Sequence, residues 1–287
     1  MGTASLLVVG HITRDLLPAG AFRLGGTAYY AGIAAVRLGH RVAVYTAARL
    51  DLDFSPLREA APGIEIHSLP SPDDTVFTNR YRARRRYQLL LGRARPLLAE
   101  GLPEDWRSIP LVLLGAVAGE IAPAWIESLP SAVVGACLQG WLRGWDDSGR
   151  VSFRPWAEAS RWLPHLAAAF LSEEDVQGRQ GLVEGYAAHC PLLVQTAGER
   201  GATLYEGGQP RAVAPFSVRE LDPTGAGDVF AAAFLVRRAE GAAPAEAARF
   251  AAAAAALSVR AAGAGAIPWR DEVEALLQEA ADVVAFA

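Results

Sequence analysis

The chain of 287 residues contains no lysine, and all 27 of its basic side chains are arginine. That absence removes every chemistry that needs a side-chain amine. A P-loop requires Gly-Lys-Ser/Thr, protein kinases require a strand lysine on the phosphates, and Schiff-base enzymes require a nucleophilic amine. A phosphate bound here must therefore be held by backbone amides, by arginine or by a metal. Cysteine is scarce: Cys137 and Cys190 supply neither a disulfide framework nor a Cys-x-x-Cys motif, which suits a reducing cytoplasm. The 5 histidines are scattered without metal-ligand spacing, so no transition-metal site is expected. Apolar runs such as Ala251 to Ala256 are short and alanine-rich, and no charged leader precedes a long one. The expectation is an unprocessed cytoplasmic protein with no membrane partner. A formal charge of -4 lacks the basic excess that nucleic-acid binding uses, so small-molecule partners are expected instead.

What the chain does have is alternation. Ser5 to Gly10 is a short apolar run ending in glycine, the pattern of a buried parallel strand. Thr27 to Leu38 carries apolar residues on a helical period, stops at Gly39 and leads into the β-rich Arg41 to Thr46. Further strands are expected at 64–69, 111–114, 132–136, 168–171 and 192–196, most of them separated by helix-length segments. An alanine-rich helix is expected over 244–262, ended by Gly263. The sum is one α/β domain over 1–287, a doubly wound, mostly parallel sheet with helices on both faces. Two segments break the alternation, about 12–24 and 75–97, and read as exposed strands or hairpins forming a small β lid. In the second, Thr75, Phe77, Asn79 and Tyr81 share one strand face. Its arginines, Arg80 to Arg86, read equally as a solvated edge that deters strand aggregation. No Gly-x-Gly-x-x-Gly follows the first strand, where Gly10-His-Ile-Thr-Arg-Asp stands, so a dinucleotide oxidoreductase is disfavoured.

The most informative stretch is Asp222-Pro-Thr-Gly-Ala-Gly-Asp228, running into an apolar helix from about residue 226. The amides of Gly225, Ala226 and Gly227 can approach a ligand closely, and the helix adds the positive end of its dipole, so the turn can hold an anion. Asp228 stands in the first helical turn, where the dipole favours its ionised form and where it can take a proton from a hydroxyl. An ordinary glycine turn with an aspartate at a helix start has the same local pattern.

These seven residues resemble the C-terminal signature of the ribokinase-like carbohydrate kinases, the PfkB family. Gly25-Gly26 resembles that family's N-terminal glycine pair, Thr196-Ala-Gly198-Glu-Arg-Gly201 its nucleotide-side Thr-x-Gly-x-x-Gly, and Gly263-Ala264 with Pro268 its C-terminal loop. The resemblance spans nearly the whole chain and implies a ribokinase-like domain that transfers the γ-phosphate of ATP to a hydroxyl of a small sugar or polyol. It implies Asp228 as the base, with an ordinary aspartate pKa being adequate, and Gly225, Ala226 and Gly227 as the anion hole. Asp222 and the Thr224 carbonyl would hold a monovalent cation such as K⁺, and Thr196, Gly198 and Gly201 would lie along the nucleotide. Asp222 also reads as a turn residue, and the 196–201 segment as a tight turn between strands.

The departures from the family are local. Where the family carries Asn-x-x-Glu to hold Mg²⁺ through water, this chain has Ser172-Glu-Glu-Asp175; Asp175 keeps the charge. Arg143 falls where related kinases place an arginine near the phosphates, or is a surface residue after a buried strand. On the acceptor side Asp15, Gly25, Gly26, Thr27, Tyr30 and Asn79 are the expected contacts. Thr27-Ala-Tyr-Tyr30 replaces the lysine and asparagine of ribokinases proper, so ribose is disfavoured. The small-then-aromatic pattern, with Leu113-Leu-Gly115 to Glu120, is closer to the inositol kinase branch. Tyr30 would stack on a substrate or pack in the core. A nucleoside kinase and a catalytically silent ligand-binding member of the same fold are the alternatives, and lid strands pairing edge to edge would make a homodimer.

Overall fold

The computed structural model describes residues 4–17, 20–82 and 85–285. Residues 18, 19, 83 and 84 of the expected lid lie outside the described residues. The chain opens with β1 (Leu6–Val9), β2 (Thr13–Leu16), β3 (Phe22–Gly25), α1 (Thr27–Arg37), β4 (Val42–Ala48), α2 (Ser55–Ala60) and β5 (Glu65–Pro70). It continues through β6 (Val76–Arg82), β7 (Arg85–Gly92), β8 (Leu111–Leu114), α3 (Trp125–Ser128), β9 (Val133–Cys137), the hairpin β10 (Arg143–Trp145) and β11 (Val151–Phe153), and α4 (Ala159–Trp162). It closes with β12 (Ala168–Ser172), α5 (Glu173–Val176), α6 (Gln180–Ala187), β13 (Leu192–Thr196), β14 (Ala202–Glu206), β15 (Gln209–Val213), α7 (Ala226–Ala239), α8 (Pro244–Ser258) and α9 (Arg270–Ala285).

Nine strands form the main sheet in the order β15-β14-β13-β12-β9-β8-β1-β4-β5. From β5 to β13 every pairing is parallel, and the β13–β14 and β14–β15 pairings are antiparallel. The fully buried, β-branched and leucine-rich β1 sits inside this sheet because it has hydrophobic layers on both faces. Leu6 and Val8 point into one core with α1, α7 and α8, while Leu7 and Val9 point into the other with side chains of α3, α4 and α6. The chain leaves β1 towards β4 and β5, then returns to β8 and proceeds to β9, β12 and β13 on the other side. The direction reverses between β1 and β8, and a crevice at the carboxyl ends of the strands beside such a reversal is where open α/β sheets bind ligands.

A second sheet of four strands, β3-β2-β6-β7, matches the expected lid. It ends at Gly92, earlier than expected: Ala94 turns back onto the body through its amide to Thr75 Oγ1, and Leu97 bridges to Ile121. Helix α8 also ends earlier, at Ser258, with a 3-10 turn at Gly263–Ala266 following. The β10–β11 hairpin was not expected; strands of three residues carry too few positions to show a period of two.

Candidate active site

At the switch point the ends of β1 and β8 nearly touch, since a Cβ placed on Gly10 would overlap the carbonyl of Gly115. Thr27, the first residue of α1, lies over Gly115 in turn. Two helix N-termini thereby converge on one place. Helix α1 starts after Gly26, whose φ of 85° and closeness to the His11 carbonyl leave no room for a side chain. Helix α7 starts after Gly225, at φ 84°.

Gly225 is a position that only glycine fits on two counts. Its φ lies in the left-handed region, and a Cβ would enter the ring of Tyr30. Tyr30 is therefore the floor beneath the Gly225 turn, 1% exposed, with its ring against the turn's backbone. Burial raises its phenol pKa well above the ordinary value, and the hydroxyl has no hydrogen-bond partner among the described residues. Tyr30 thus packs in the core, the second of the two roles its sequence allowed.

Asp228 occupies the third position of α7, and its Oδ1 accepts a 2.7 Å hydrogen bond from the Thr27 hydroxyl. Sequence alone assigned Thr27 to the acceptor; the structure puts its hydroxyl on the carboxylate. The pKa of Asp228 is not ordinary. Burial pushes it up, the Thr27 hydrogen bond pulls down, Asp175 and Asp15 push up and Arg143 pulls down, leaving it at about 6. The helix dipole was expected to keep this group ionised, but desolvation in a protein-walled cleft outweighs a first-turn dipole contribution of about 0.3–1 kcal/mol. A carboxyl near 6 is better matched to accepting a proton at neutral pH than an ordinary one.

The lid faces this point with one row of side chains. Arg23 of β3 pairs with Asp15 of β2, and Asp15 pairs with Phe77 of β6, so the three share the lid's inner face. Asp15 accepts from the Thr13 hydroxyl at 3.0 Å and lies against Gly25. Phe77 packs with Leu90, Val117 and Ala118, joining lid to body, and the Arg143 guanidinium stands 5.8 Å from the Phe77 ring centre. Asn79 follows in β6, at the register position opposite Gln88. Arg23 reaches across the cleft. Its Nη1 donates to Asp222 Oδ2 at 2.7 Å and its Nη2 to Thr224 Oγ1 at 3.1 Å. Asp222 Oδ1 accepts from the Thr224 amide at 3.0 Å, and Oδ2 also from the Gly263 amide at 3.2 Å. Burial acts against the Asp222 charge, but the Thr224, Arg23 and Gly263 hydrogen bonds outweigh it and hold the carboxyl down to about 2.

Asp175 closes a capping box on α5: its Oδ2 takes the Ser172 amide and hydroxyl, both at 2.8 Å, and its Oδ1 takes the Gln139 amide at 3.2 Å. Direct metal ligation would displace these bonds. A hydrated Mg²⁺ needs only an acceptor for one of its waters, and Asp175 and Asp228 raise the negative charge of the cleft together, so the residues fit an outer-sphere Mg²⁺. Among the described residues no group of three or more His, Cys, Asp or Glu could hold a metal by itself. Thr196 ends β13, and Gly198 and Gly201 form the turn to β14, both with positive φ. The structure does not bring these three onto Asp228 through any hydrogen bond, and the turn reading accounts for their geometry.

Sequence reading missed two residues. Arg23 lies 199 positions from Asp222, and only the β2–β3 register, which pairs it with Asp15, puts it on the cleft side. Glu120, 1% exposed, accepts from the amides of His11, Val117 and Ala118 and so fixes the crevice wall where β1 and β8 end. His11 is structural beside it: Nδ1 meets the Thr75 hydroxyl at 2.7 Å, Nε2 meets the Arg95 carbonyl at 3.0 Å, and burial lowers its pKa.

Comparison with known proteins agrees with this geometry. Residues 157–271 match the model of the pfkB family carbohydrate kinases. Inositol 3-kinase of Oryza sativa subsp. japonica is 30% identical over 259 residues, covering 79% of this chain and 61% of that protein, so the chain spans about three-fifths of this relative's length. A pyrophosphate-dependent kinase of the ribokinase family, solved with a pyrophosphate analogue and myo-inositol, superposes with a TM-score of 0.78 at 24% identity, over 94% of this chain and 99% of that one. Arabidopsis thaliana ribokinase, solved with ribose and ATP, superposes with a TM-score of 0.75 at 20% identity, over 96% and 99%. At those identities the structural likeness establishes the ribokinase-like fold. The family match covers the C-terminal segment that contains Asp222 to Asp228 and the inositol kinase relative covers most of the chain; together with the shared fold they support a ribokinase-like pfkB kinase close to the inositol kinase branch.

Proposed function

We propose that the protein is an ATP-dependent kinase that phosphorylates a hydroxyl of a small polyol of the inositol kind, with Asp228 as the base. The observation that carries this reading is Asp228 itself: a carboxyl near 6, held by Thr27, on the first turn of α7 beside the amides of the Gly225 to Gly227 loop. Those amides stabilise charge growing on the transferred phosphoryl oxygens, and Asp228 accepts the proton of the attacking hydroxyl. Mg²⁺, held through water by Asp175, would neutralise charge on the donor phosphates. Arg143 supplies positive charge near Asp228, as its lowering effect on that carboxyl indicates. Asp15 is the acceptor-binding residue of the lid, with Gly25 of β3 against it and with Gly26 at the start of α1 and Asn79 of β6 completing the acceptor side, and Thr196, Gly198 and Gly201 border the donor. Lid and body exclude water that would otherwise consume the donor.

The inositol 3-kinase relative and the myo-inositol complex of the structural relative support a cyclic polyol as acceptor. The test is a product assay with Mg²⁺ across inositols, hexoses, ribose and nucleosides, with ATP and, because one structural relative uses it, pyrophosphate as donors. A phosphate ester formed from an inositol with ATP is the expected outcome; turnover confined to nucleosides, or ligand binding without any ester, would replace this reading. Among the described residues no helix is long and apolar enough to cross a membrane. The lid hairpin exposes Leu17 and Phe22, about 40% and 42%, as a surface for a second copy of the chain, which light scattering in solution checks.

A further inference from the structure

The monovalent-cation role implied for Asp222 and the Thr224 carbonyl meets a contradiction at the Asp222 carboxylate. A cation needs oxygen lone pairs and a locally negative field. The Asp222 carboxylate already accepts from Arg23, from the Thr224 amide and from the Gly263 amide, and the Thr224 hydroxyl accepts from the second Arg23 nitrogen. A full positive charge thus sits 2.7 Å from the carboxylate that would hold the ion. Both side chains are well covered, 29% and 16% exposed, so solvent screens the guanidinium poorly and a second cation beside it would be repelled. The donors are fixed as well: Gly263 follows α8, Thr224 leads into α7, and Arg23 is anchored in β3 by its pairing opposite Asp15.

From this we infer that Arg23 is a built-in cation: a positioning residue that takes the place of a monovalent ion at Asp222, orders the Asp222 to Gly225 turn, and ties the lid to the anion loop. The inference rests on the reading of that loop as the phosphoryl site. A guanidinium suits the task because its planar fork reaches the carboxylate with one nitrogen and the Thr224 hydroxyl with the other, which a spherical ion or an ammonium cannot do in one fixed geometry. It also makes the order of the loop independent of ion concentration, since a side chain on β3 is always present. It adds a mechanical consequence. The same contact joins the acceptor-side sheet to the turn whose amides face the donor, so lid position and loop order are coupled through one side chain.

Two measurements test this, one of them independent of turnover. Thermal melting of the wild-type protein in KCl and in choline chloride at equal ionic strength should give the same midpoint, and phosphoryl transfer should differ by less than twofold between the salts. Arg23→Met should lose about tenfold or more in kcat in choline chloride, recover at least severalfold on addition of K⁺ in a saturable way, and gain a K⁺-dependent rise in melting midpoint. Arg23→Lys, which keeps the charge but not the fork, should stay insensitive to K⁺ with a smaller loss in kcat. Saturable K⁺ stabilisation or severalfold K⁺ activation of the wild type overturns the inference, as does an Arg23→Met protein with undiminished kcat. Because melting needs no substrate, a K⁺ response of the wild type would refute the built-in cation even if no acceptor were found, while absence of any phosphorylated product would refute the kinase reading instead.

Discussion

At the scale of single residues, the protein's chemistry turns on how burial sets one carboxyl against another. Asp222 and Asp228 bracket the same seven-residue stretch, yet one is held at about 2 and the other is raised to about 6, because the first is wrapped in donors and the second has one hydroxyl and two like-charged neighbours. As Asp228 is raised in the folded chain, its ionisation is unfavourable to folding: the cost is absent below about pH 4, grows as pH rises through about 6, and is constant above. Asp228→Asn should therefore stabilise the protein by about 1–2 kcal/mol at pH 7.5, discounted for the part of the group open to the cleft, with the gain vanishing near pH 4. Denaturant melts at the two pH values check this. For the wild type, kcat/KM should fall below about pH 6. Thr27→Val removes a bond that lowers the Asp228 pKa, so it should move that acid limb to higher pH while Thr27→Ser leaves it in place; pH–rate profiles of the two variants measure it. The sequence singled out Asp228 as the candidate base, because glycine turn, aspartate and helix start are adjacent in the chain. It could not show the pKa, which comes first from burial and then from Thr27, Asp175 and Arg143, each brought in by a different element.

At the scale of elements, the anion loop is fixed from below. Helix α1 carries Tyr30 under Gly225, so the loop's geometry depends on an aromatic ring in another helix. Gly225→Ala would meet both a left-handed φ and that ring, and should cost about 2–4 kcal/mol in stability, read from the denaturation midpoint, with phosphoryl transfer falling further because the amides move. Tyr30→Phe keeps the ring and removes a hydroxyl that has no partner, so its stability should be unchanged or up to about 1 kcal/mol higher. Elements with a clear period were legible in the sequence: β1 as an uninterrupted apolar run, α1 ending at a glycine, and β6 as an alternating lid strand. The β10–β11 hairpin and the early end of the lid at Gly92 were not, since neither changes the composition of the chain locally. Tyr30 shows the same limit: an aromatic on a helix near a glycine pair fits either a ligand or a core position, and only the position of α7 decides.

At the scale of the whole molecule, two sheets meet over one cleft, and the charge in that cleft is the organising quantity. The body contributes Asp228 and Asp175, the lid contributes Asp15, and the offsetting charges are Arg143 and Arg23, in a chain that has no lysine to offer. The doubly wound, mostly parallel sheet was readable from the alternation of strands and helices, but its strand order was not; nor was the bridge from Arg23 to the Asp222 to Gly225 turn, because it joins positions that are distant in the chain and carries no motif. The central claim is that Asp228 takes the proton of a polyol hydroxyl during phosphoryl transfer. Its most direct measurement is ³¹P NMR of wild type and Asp228→Asn incubated with ATP, Mg²⁺ and myo-inositol, alongside ATP affinity for both. The account predicts ADP and a phosphate monoester in equal amounts from the wild type, and a loss of about a thousandfold or more in ester formation by the variant with ATP binding within severalfold. Ester formation by Asp228→Asn at a rate near that of the wild type would contradict it.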